Sequence, residues 1–246
     1  TKINEAPYIA PNPANNSTNI DIERSTIEIE ITDNENHPVN WSIETVPNVG
    51  SATGVNQSGG TKVCFIDNLV ADTTYTWYVN VTDKYNATTK EIFYFNTSQA
   101  PVLSNEFPMH NSIAPYQTNC SIDIIDPDGG SVSVIFYEAN GSTWIEKYTT
   151  VISADTIQTV IWDYFNNASI RGDNYQWKVV AEDSKHANTT AIYNFTVNRL
   201  IQTTNETPAN YKINVDLLIG QVSVDLSDSD NKTINWTIET APAIDT

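Results

Sequence analysis

The sequence predicts an all-β fold: antiparallel β-sandwiches in tandem, with the last copy incomplete. Three observations carry that prediction. Short apolar–polar alternations recur along the chain, among them "TIEIEIT" at 26–32 and "YTWYVNV" at 75–81. The chain repeats itself, "NWSIET" at 40–45 returning as "NWTIET" at 235–240. Pro, Gly, Asn and Asp interrupt the apolar runs at short intervals and no long segment has helical period, which is the punctuation of an antiparallel sandwich.

Taken in order, the first repeat opens with "TIEIEIT", whose alternation puts Ile27, Ile29 and Ile31 on one face and Glu28 and Glu30 on the other. Trp41 follows on a strand in the position of strand C. "YTWYVNV" turns Tyr75, Trp77, Val79 and Val81 inward and Thr76, Tyr78 and Asn80 outward. Trp41 and Trp77 are expected to meet as an inward pair across neighbouring strands C and F. The second repeat begins with "TNCSIDIIDPDGGSVSVIFYE" (118–138), which matches "STIEIEITDNENHPVNWSIET" with Asp126 in the place of Asp33. "EANGST" (138–143) reads as a hairpin in which Asn140-Gly141 supplies the positive φ of a tight turn. "YQWKVVAED" (175–183) then matches "YTWYVNVTD" (75–83), and "IYNFTV" (192–197) matches "IFYFNT" (92–97).

A third copy aligns without a gap, Pro13–Thr45 onto Pro208–Thr240, with Asp33 on Asp228 and Ile27, Ile29 and Ile31 on Val222, Val224 and Leu226. A fixed offset with a matched core pattern is the signature of repeated domains. The expected boundaries are 1–98, 99–200 and 201–246, the last holding strands A–C only. The linkers "TSQAPVLSNEFP" and "VNRLIQTTNETP" are short, so the domains are expected to lie in a nearly fixed line. Half a sandwich leaves apolar faces and strand edges uncovered. The chain is therefore expected to be a piece of a longer one, the alternative being a neighbouring copy that supplies the missing strands.

Composition narrows the partners. Thirty acidic residues against 12 basic ones leave a formal charge of −18. Such a surface repels nucleic acid and anionic membrane faces and suits an extracellular setting or one that attracts cations. No stretch approaches the roughly 20 apolar residues of a membrane span. No signal peptide is visible and Thr1 is not an initiator, so targeting and anchoring segments are expected to lie outside this sequence.

The run "LVADTTYTWYVNVTD" (69–83) resembles the E–F corner and F strand of fibronectin type III-like domains, with Leu69 and Tyr75 at that family's corner leucine and tyrosine. "SIRGDNYQWKVVAED" (169–183) repeats it with Tyr175, and "PANNSTNIDI", "DPDGG" and "WYVNVTD" resemble tandem sandwich repeats of archaeal and bacterial cell-surface proteins. One departure is that Trp41 and Trp236 lie on strand C where the family keeps its tryptophan on strand B, so an immunoglobulin-like topology stays open. These motifs mark a fold and carry no chemistry.

Fifteen asparagines head an N-x-Ser/Thr sequon: Asn15, Asn16, Asn40, Asn56, Asn80, Asn86, Asn96, Asn119, Asn140, Asn167, Asn188, Asn194, Asn205, Asn231 and Asn235. Composition alone would generate roughly six. The excess predicts N-glycosylation of several sites, hence export; a Thr/Asn-rich surface that forms sequons without use is the alternative. Cys64 and Cys120 fall in different repeats and read as buried thiols, an intermolecular or inter-repeat bridge being the other reading. Arg171-Gly172-Asp173 reads as an ordinary turn before strand F.

Catalytic machinery is absent from the pattern. His37, His110 and His186 are scattered over loops, with no Cys-His cluster, phosphate loop or nucleophile elbow. Trp144 is the one tryptophan without an expected place inside, and sugar stacking is conceivable there. Calcium is the one cofactor the sequence suggests. Each repeat has an acidic turn after strand B, holding Asp33 and Glu35, Asp126 and Asp128, or Asp228 and Asp230, and strand F ends on Asp83 or Asp183. In a fibronectin-like sandwich these loops share a pole with the preceding linker, and calcium takes six to eight hard oxygens. The same residues also cap tight turns with no ion at all.

The expected function is a non-enzymatic structural repeat of an extracellular surface protein, in an S-layer, sheath, stalk or filament, with neighbouring copies and N-linked glycans as partners. An adhesin or carbohydrate-binding spacer is the alternative, attached or not to an enzyme outside the segment.

Overall fold

The computed structural model describes all residues except 1, 2, 164, 166–171, 214, 216–218 and 240–246. Every regular element among the described residues is a strand, so the chain is all-β, as the alternation predicts. The first repeat contains β1 (Tyr8–Asn12), β2 (Ser17–Ile20), β3 (Thr26–Thr32), β4 (Val39–Val46), β5 (Ser51–Gln57), β6 (Gly60–Phe65), β7 (Thr74–Asp83) and β8 (Thr88–Thr97). The second contains β9 (Val102–Phe107), β10 (Ser112–Ala114), β11 (Cys120–Ile125), β12 (Ser131–Asn140), β13 (Thr143–Ser153), β14 (Gln158–Trp162), β15 (Asn174–Asp183) and β16 (Asn188–Val197). The third is represented by β17 (Gln202–Thr207) and β18 (Ser223–Ser227), paired antiparallel.

Both complete repeats use one topology. In the first, β1-β3-β6 form one sheet and β2-β8-β7-β4-β5 the other. In the second, β14-β11-β9 form one sheet and β10-β16-β15-β12-β13 the other. β5 pairs with β4 rather than with the three-stranded sheet, which separates this fold from the constant-type immunoglobulin arrangement. The short β2 pairs parallel with β8, as β10 does with β16, so the first strand switches sheets midway.

Between the two sheets of the first repeat lie Ile27, Ile29, Ile31, Val39, Ile43, Cys64, Tyr75, Trp77, Val79, Val81 and Phe95, none more than 1 % exposed. These are the inward positions of the alternating strands, and their burial is what holds the layers together. The corner that the fibronectin-like motif implies is present: the Tyr75 hydroxyl accepts the Val70 amide at 3.0 Å beside buried Leu69. Cys64 and Cys120 are both fully buried and form no disulfide with each other, and burial pushes the Cys64 thiol pKa up.

Packing density divides the chain into two units. One unit comprises Thr1–Asn105, Ile122–Val160 and Lys178–Ile192, the other Glu106–Ser121, Ile161–Trp177 and Tyr193–Thr246.

Four local expectations are corrected. The linkers are shorter than expected, because β9 and β17 begin at Val102 and Gln202 inside them. Trp41 and Trp77 do not meet: the β4–β7 register sets Trp41 opposite Val81 and Trp77 opposite Thr45, and the Trp77 ring packs on Phe93 at 5.0 Å. In the β12–β13 hairpin Asn140 pairs with Thr143, so the two-residue loop is Gly141-Ser142, with Gly141 at φ 61°. A glycine at the first loop position suits the type II′ turn, which matches strand twist without needing Asn140 in the left-handed region. In the third repeat residues 232–239 form no strand and Trp236 is 66 % exposed. Its counterpart β4 is a central strand held by β5 and β7, and the described residues of the third repeat contain neither partner.

Candidate functional site

The acidic turns after β3, β11 and β18 share one construction. The main-chain carbonyl of Asp33, Asp126 or Asp228 accepts the amide three residues on, from Asn36, Gly129 or Asn231, at 3.0, 3.0 and 3.1 Å. Those three residues take φ of 57°, 74° and 55°, the left-handed conformation that Asn and Gly tolerate. The Oδ1 of the same aspartate accepts the amide two residues on: Glu35 at 3.0 Å, Asp128 at 3.0 Å and Asp230 at 2.9 Å. This is the side-chain-to-backbone turn that makes Asp a turn former.

Strand F ends in a matching way. Asp83 Oδ1 accepts the amides of Tyr85 and Ala87 at 2.8 and 2.9 Å, and Asp183 Oδ1 those of Lys185 and Ala187 at 2.8 and 2.9 Å. In each case one carboxylate oxygen serves the local turn and the second is left to face the pole of the repeat.

Chain entering the repeat closes over those second oxygens. At the first pole Asn4 Nδ2 donates to Asp83 Oδ2 at 2.8 Å and the Glu5 amide to Glu35 Oε2 at 3.3 Å. At the second, the Ser98 hydroxyl donates to Asp183 Oδ2 at 2.5 Å and also lies 3.2 Å from Asp128 Oδ2, while the Gln99 amide donates to Asp128 Oδ2 at 2.6 Å. At the third the Arg199 amide donates to Asp230 Oδ2 at 2.6 Å. Two residues beyond Glu5 and Gln99, the carbonyls of Pro7 and Pro101 accept the hydroxyls of Thr89 and Thr189. Around the second pole His186 Nδ1 also meets Asp21 at 3.0 Å, and the Lys185 carbonyl accepts the Ile22 amide at 3.2 Å. The hydrogen bond to Asp21 is the main cause that raises the His186 pKa.

These carboxylates are deeply placed: Asp33, Asp83, Asp126 and Asp183 are 7, 2, 3 and 7 % exposed. Asp33 Oδ2 and Asp126 Oδ2 are inaccessible and have no hydrogen-bond partner. Burial, together with the charges of Asp183 and Asp128, drives the Asp126 pKa above the ordinary carboxylate value, against the pull of the Asp128 and Gly129 amides. For Asp83 burial also raises the pKa, but hydrogen bonds from Asn4, Ala87 and Tyr85 and the nearby His37 outweigh it, and the net shift is downward.

The structure thus gathers Asp33, Glu35 and Asp83 at one pole, Asp126, Asp128 and Asp183 at a second, and Asp228 with Asp230 at a third. Sequence reasoning missed four contributors. His37 lies 3.8 Å from Asp33 and 3.6 Å from Asp83, and its ligand atom groups with those of Asp33 and Glu35 within 4.8 Å. Asn4 and Ser98 were also missed, although the parallel phrases "NEAP" (4–7) and "SQAP" (98–101) carry the signal. Arg199, where the others have Glu5 and Gln99, places its guanidinium 3.5 Å from Asp230.

Of the sequon asparagines, Asn15, Asn16, Asn40, Asn56, Asn86, Asn96, Asn140, Asn188, Asn205, Asn231 and Asn235 are exposed and Asn80, Asn119 and Asn194 half-buried. Asn167 lies outside the described residues, as does Arg171. Gly172 and Asp173 form the expected turn, exchanging backbone bonds with Val197 at 2.7 and 3.0 Å. Trp144 is half-buried, and the Lys178 ammonium sits 5.1 Å from its ring and 4.1 Å from that of Tyr137.

No family model matches this chain, and no curated protein does. Among solved structures it is similar to Escherichia coli alpha-2-macroglobulin activated by porcine elastase, at 7 % identity and TM-score 0.35, over 83 % of this chain and 24 % of that one. It is similar to DIP-gamma IG1+IG2 at 7 % identity and TM-score 0.37, over 80 % of this chain and 100 % of the other. Chicken CNTN1 FN1-FN3 domains match at 11 % identity and TM-score 0.29, over 77 % of this chain and 69 % of that one. The chain spans about a quarter of the length of the macroglobulin. The fold assignment rests on the strand order described above.

Proposed function

We propose that this chain is a non-enzymatic structural segment of an extracellular surface protein, of the kind that builds a stalk, sheath, filament or S-layer. The observation that carries the reading is the placement of the sequons: among the described ones eleven asparagines are exposed, three are half-buried and none is buried. N-linked sugars need that exposure and belong to exported proteins. The repeated pole supports the same reading, since a spacer needs a joint that can be written again with each domain. A carbohydrate-stacking role at Trp144 is less well supported, because Lys178 already lies over that ring.

Peptide mass spectrometry of the protein isolated from its native cells tests this. Several exposed sequon peptides should carry a glycan mass, and protease treatment of intact cells should release them. Unmodified mass at every sequon, with the protein inaccessible on intact cells, would refute the proposal.

A further inference from the structure

His37 sets the first pole apart from the other two. At the same place in the turn, four residues after the aspartate, the second repeat has Gly130 and the third Lys232. The turn itself has no use for an imidazole, since Asp126 and Asp228 make the same bond to the amide two residues on without one. The ring is nonetheless held in place, half-buried and edge-on to Tyr85 at 4.7 Å between centroids.

Its Nδ1 is inaccessible and makes no hydrogen bond. That nitrogen lies 3.8 Å from Asp33 Oδ1 and 3.6 Å from Asp83 Oδ2, beyond the roughly 2.7–3.2 Å of an N–H···O bond. Protonating the ring would answer the charge around it, yet the Nδ1 proton would reach neither carboxylate at bonding distance. Two atoms bound to one tetrahedral zinc ion, through bonds of about 2.0–2.2 Å, sit about 3.4 Å apart. The observed spacing is nearer to that of ligands sharing an ion. One donor atom each from Asp33, Glu35 and His37 lies within 4.8 Å of the other two. A second observation points the same way. Asp33 is 7 % exposed, and while its Oδ1 accepts the Glu35 and His37 amides, its Oδ2 is inaccessible and takes no donor. A buried carboxylate oxygen beside a buried ring nitrogen, neither of them hydrogen-bonded, is satisfied by a cation that accepts from both.

We propose that this pole binds one zinc ion, ligated by one carboxylate oxygen each of Asp33 and Glu35 and by Nδ1 of His37, with water in the fourth position. A nitrogen donor among two carboxylates suits zinc, whereas calcium takes six to eight oxygens and no imidazole. The ion lies where the chain enters the repeat: Glu35 Oε2 accepts the Glu5 amide, and Asp83, beside the ring, accepts Asn4 Nδ2. Zinc therefore fastens the β3–β4 turn on which that entering segment rests. The second and third turns carry the acids without the imidazole and do not form this site.

Calorimetric titration of the whole chain with zinc, after stripping with a chelator, tests the proposal. Wild type should bind zinc and melt at higher temperature with it, and calcium should do neither at equal concentration. Cobalt(II) in place of zinc should give the strong visible absorption of a tetrahedral site, a readout that needs no variant. His37→Phe keeps a ring against Tyr85 and removes both nitrogens, and Asp33→Asn keeps Oδ1 for the turn and removes the charge. Each should weaken zinc binding at least tenfold. His186→Asn, which removes the imidazole beside Asp21 and Glu23, should leave it unchanged. Absence of zinc-dependent heat and melting shift in the wild type would overturn the proposal. So would full affinity in either His37→Phe or Asp33→Asn, loss of binding through His186→Asn alone, a purely octahedral cobalt spectrum, or equal binding of calcium.

Discussion

Replacing Tyr75 with phenylalanine isolates one hydrogen bond. The side chain is 1 % exposed, its ring stacks on Phe95 at 5.3 Å, and its hydroxyl accepts the Val70 amide at 3.0 Å. Phenylalanine keeps the ring and the stack and loses only the acceptor, leaving the Val70 amide to find water or go without. A hydrogen bond removed so that one partner stays unsatisfied costs about 1–3 kcal/mol. For a domain of this size each kcal/mol lowers Tm by about 4–8 °C. Tyr75→Ala removes the ring as well, and truncating a buried aromatic costs about 3–5 kcal/mol. Urea unfolding followed by tryptophan fluorescence reads the loss, Trp41 and Trp77 being the emitters of the first repeat among the six in the chain. The expected order is wild type, then Phe, then Ala, with the Phe variant well separated from wild type. A Phe variant within a few tenths of a kcal/mol of wild type would refute the corner bond as a source of stability. Equal loss in both variants would refute the packing half of the argument.

Two further outcomes follow from other residues. The Asp83 pKa is lowered in the fold from an ordinary 3.8, so its contribution is present above that value and is lost as pH falls through the folded value; the first repeat should weaken in acid below about pH 4, and Asp83→Asn should flatten that dependence in urea titrations at several pH values. Lys178→Met removes the ammonium shared by Tyr137 and Trp144 and should cost about 0.5–2 kcal/mol in the same assay, a neutral result showing that the contact is incidental.

Much of this architecture could be read from residue order because it depends on period and punctuation. Alternation in "TIEIEIT" and "YTWYVNV" names the inward face of a strand whatever its partners are, and the structure buries those residues. The acidic turns were equally readable, since Asp followed three residues later by Asn or Gly bonds its own backbone. Tertiary structure decided whatever depends on what lies across a sheet or a loop. Trp41 and Trp77 share neighbouring strands, yet register separates them by four residues, and no local pattern states register between strands that are distant in sequence. The hairpin turn slid by one residue for the same reason, because pairing of Asn140 with Thr143 outranked the local Asn-Gly preference. At the poles, residue order supplied the carboxylates. Folding decided which oxygen of each is used by its turn, which is left buried, and whether His37, Ser98 or Arg199 is brought to meet it. Those are long-range contacts, and a carboxylate's two oxygens become distinguishable only once its surroundings are in place.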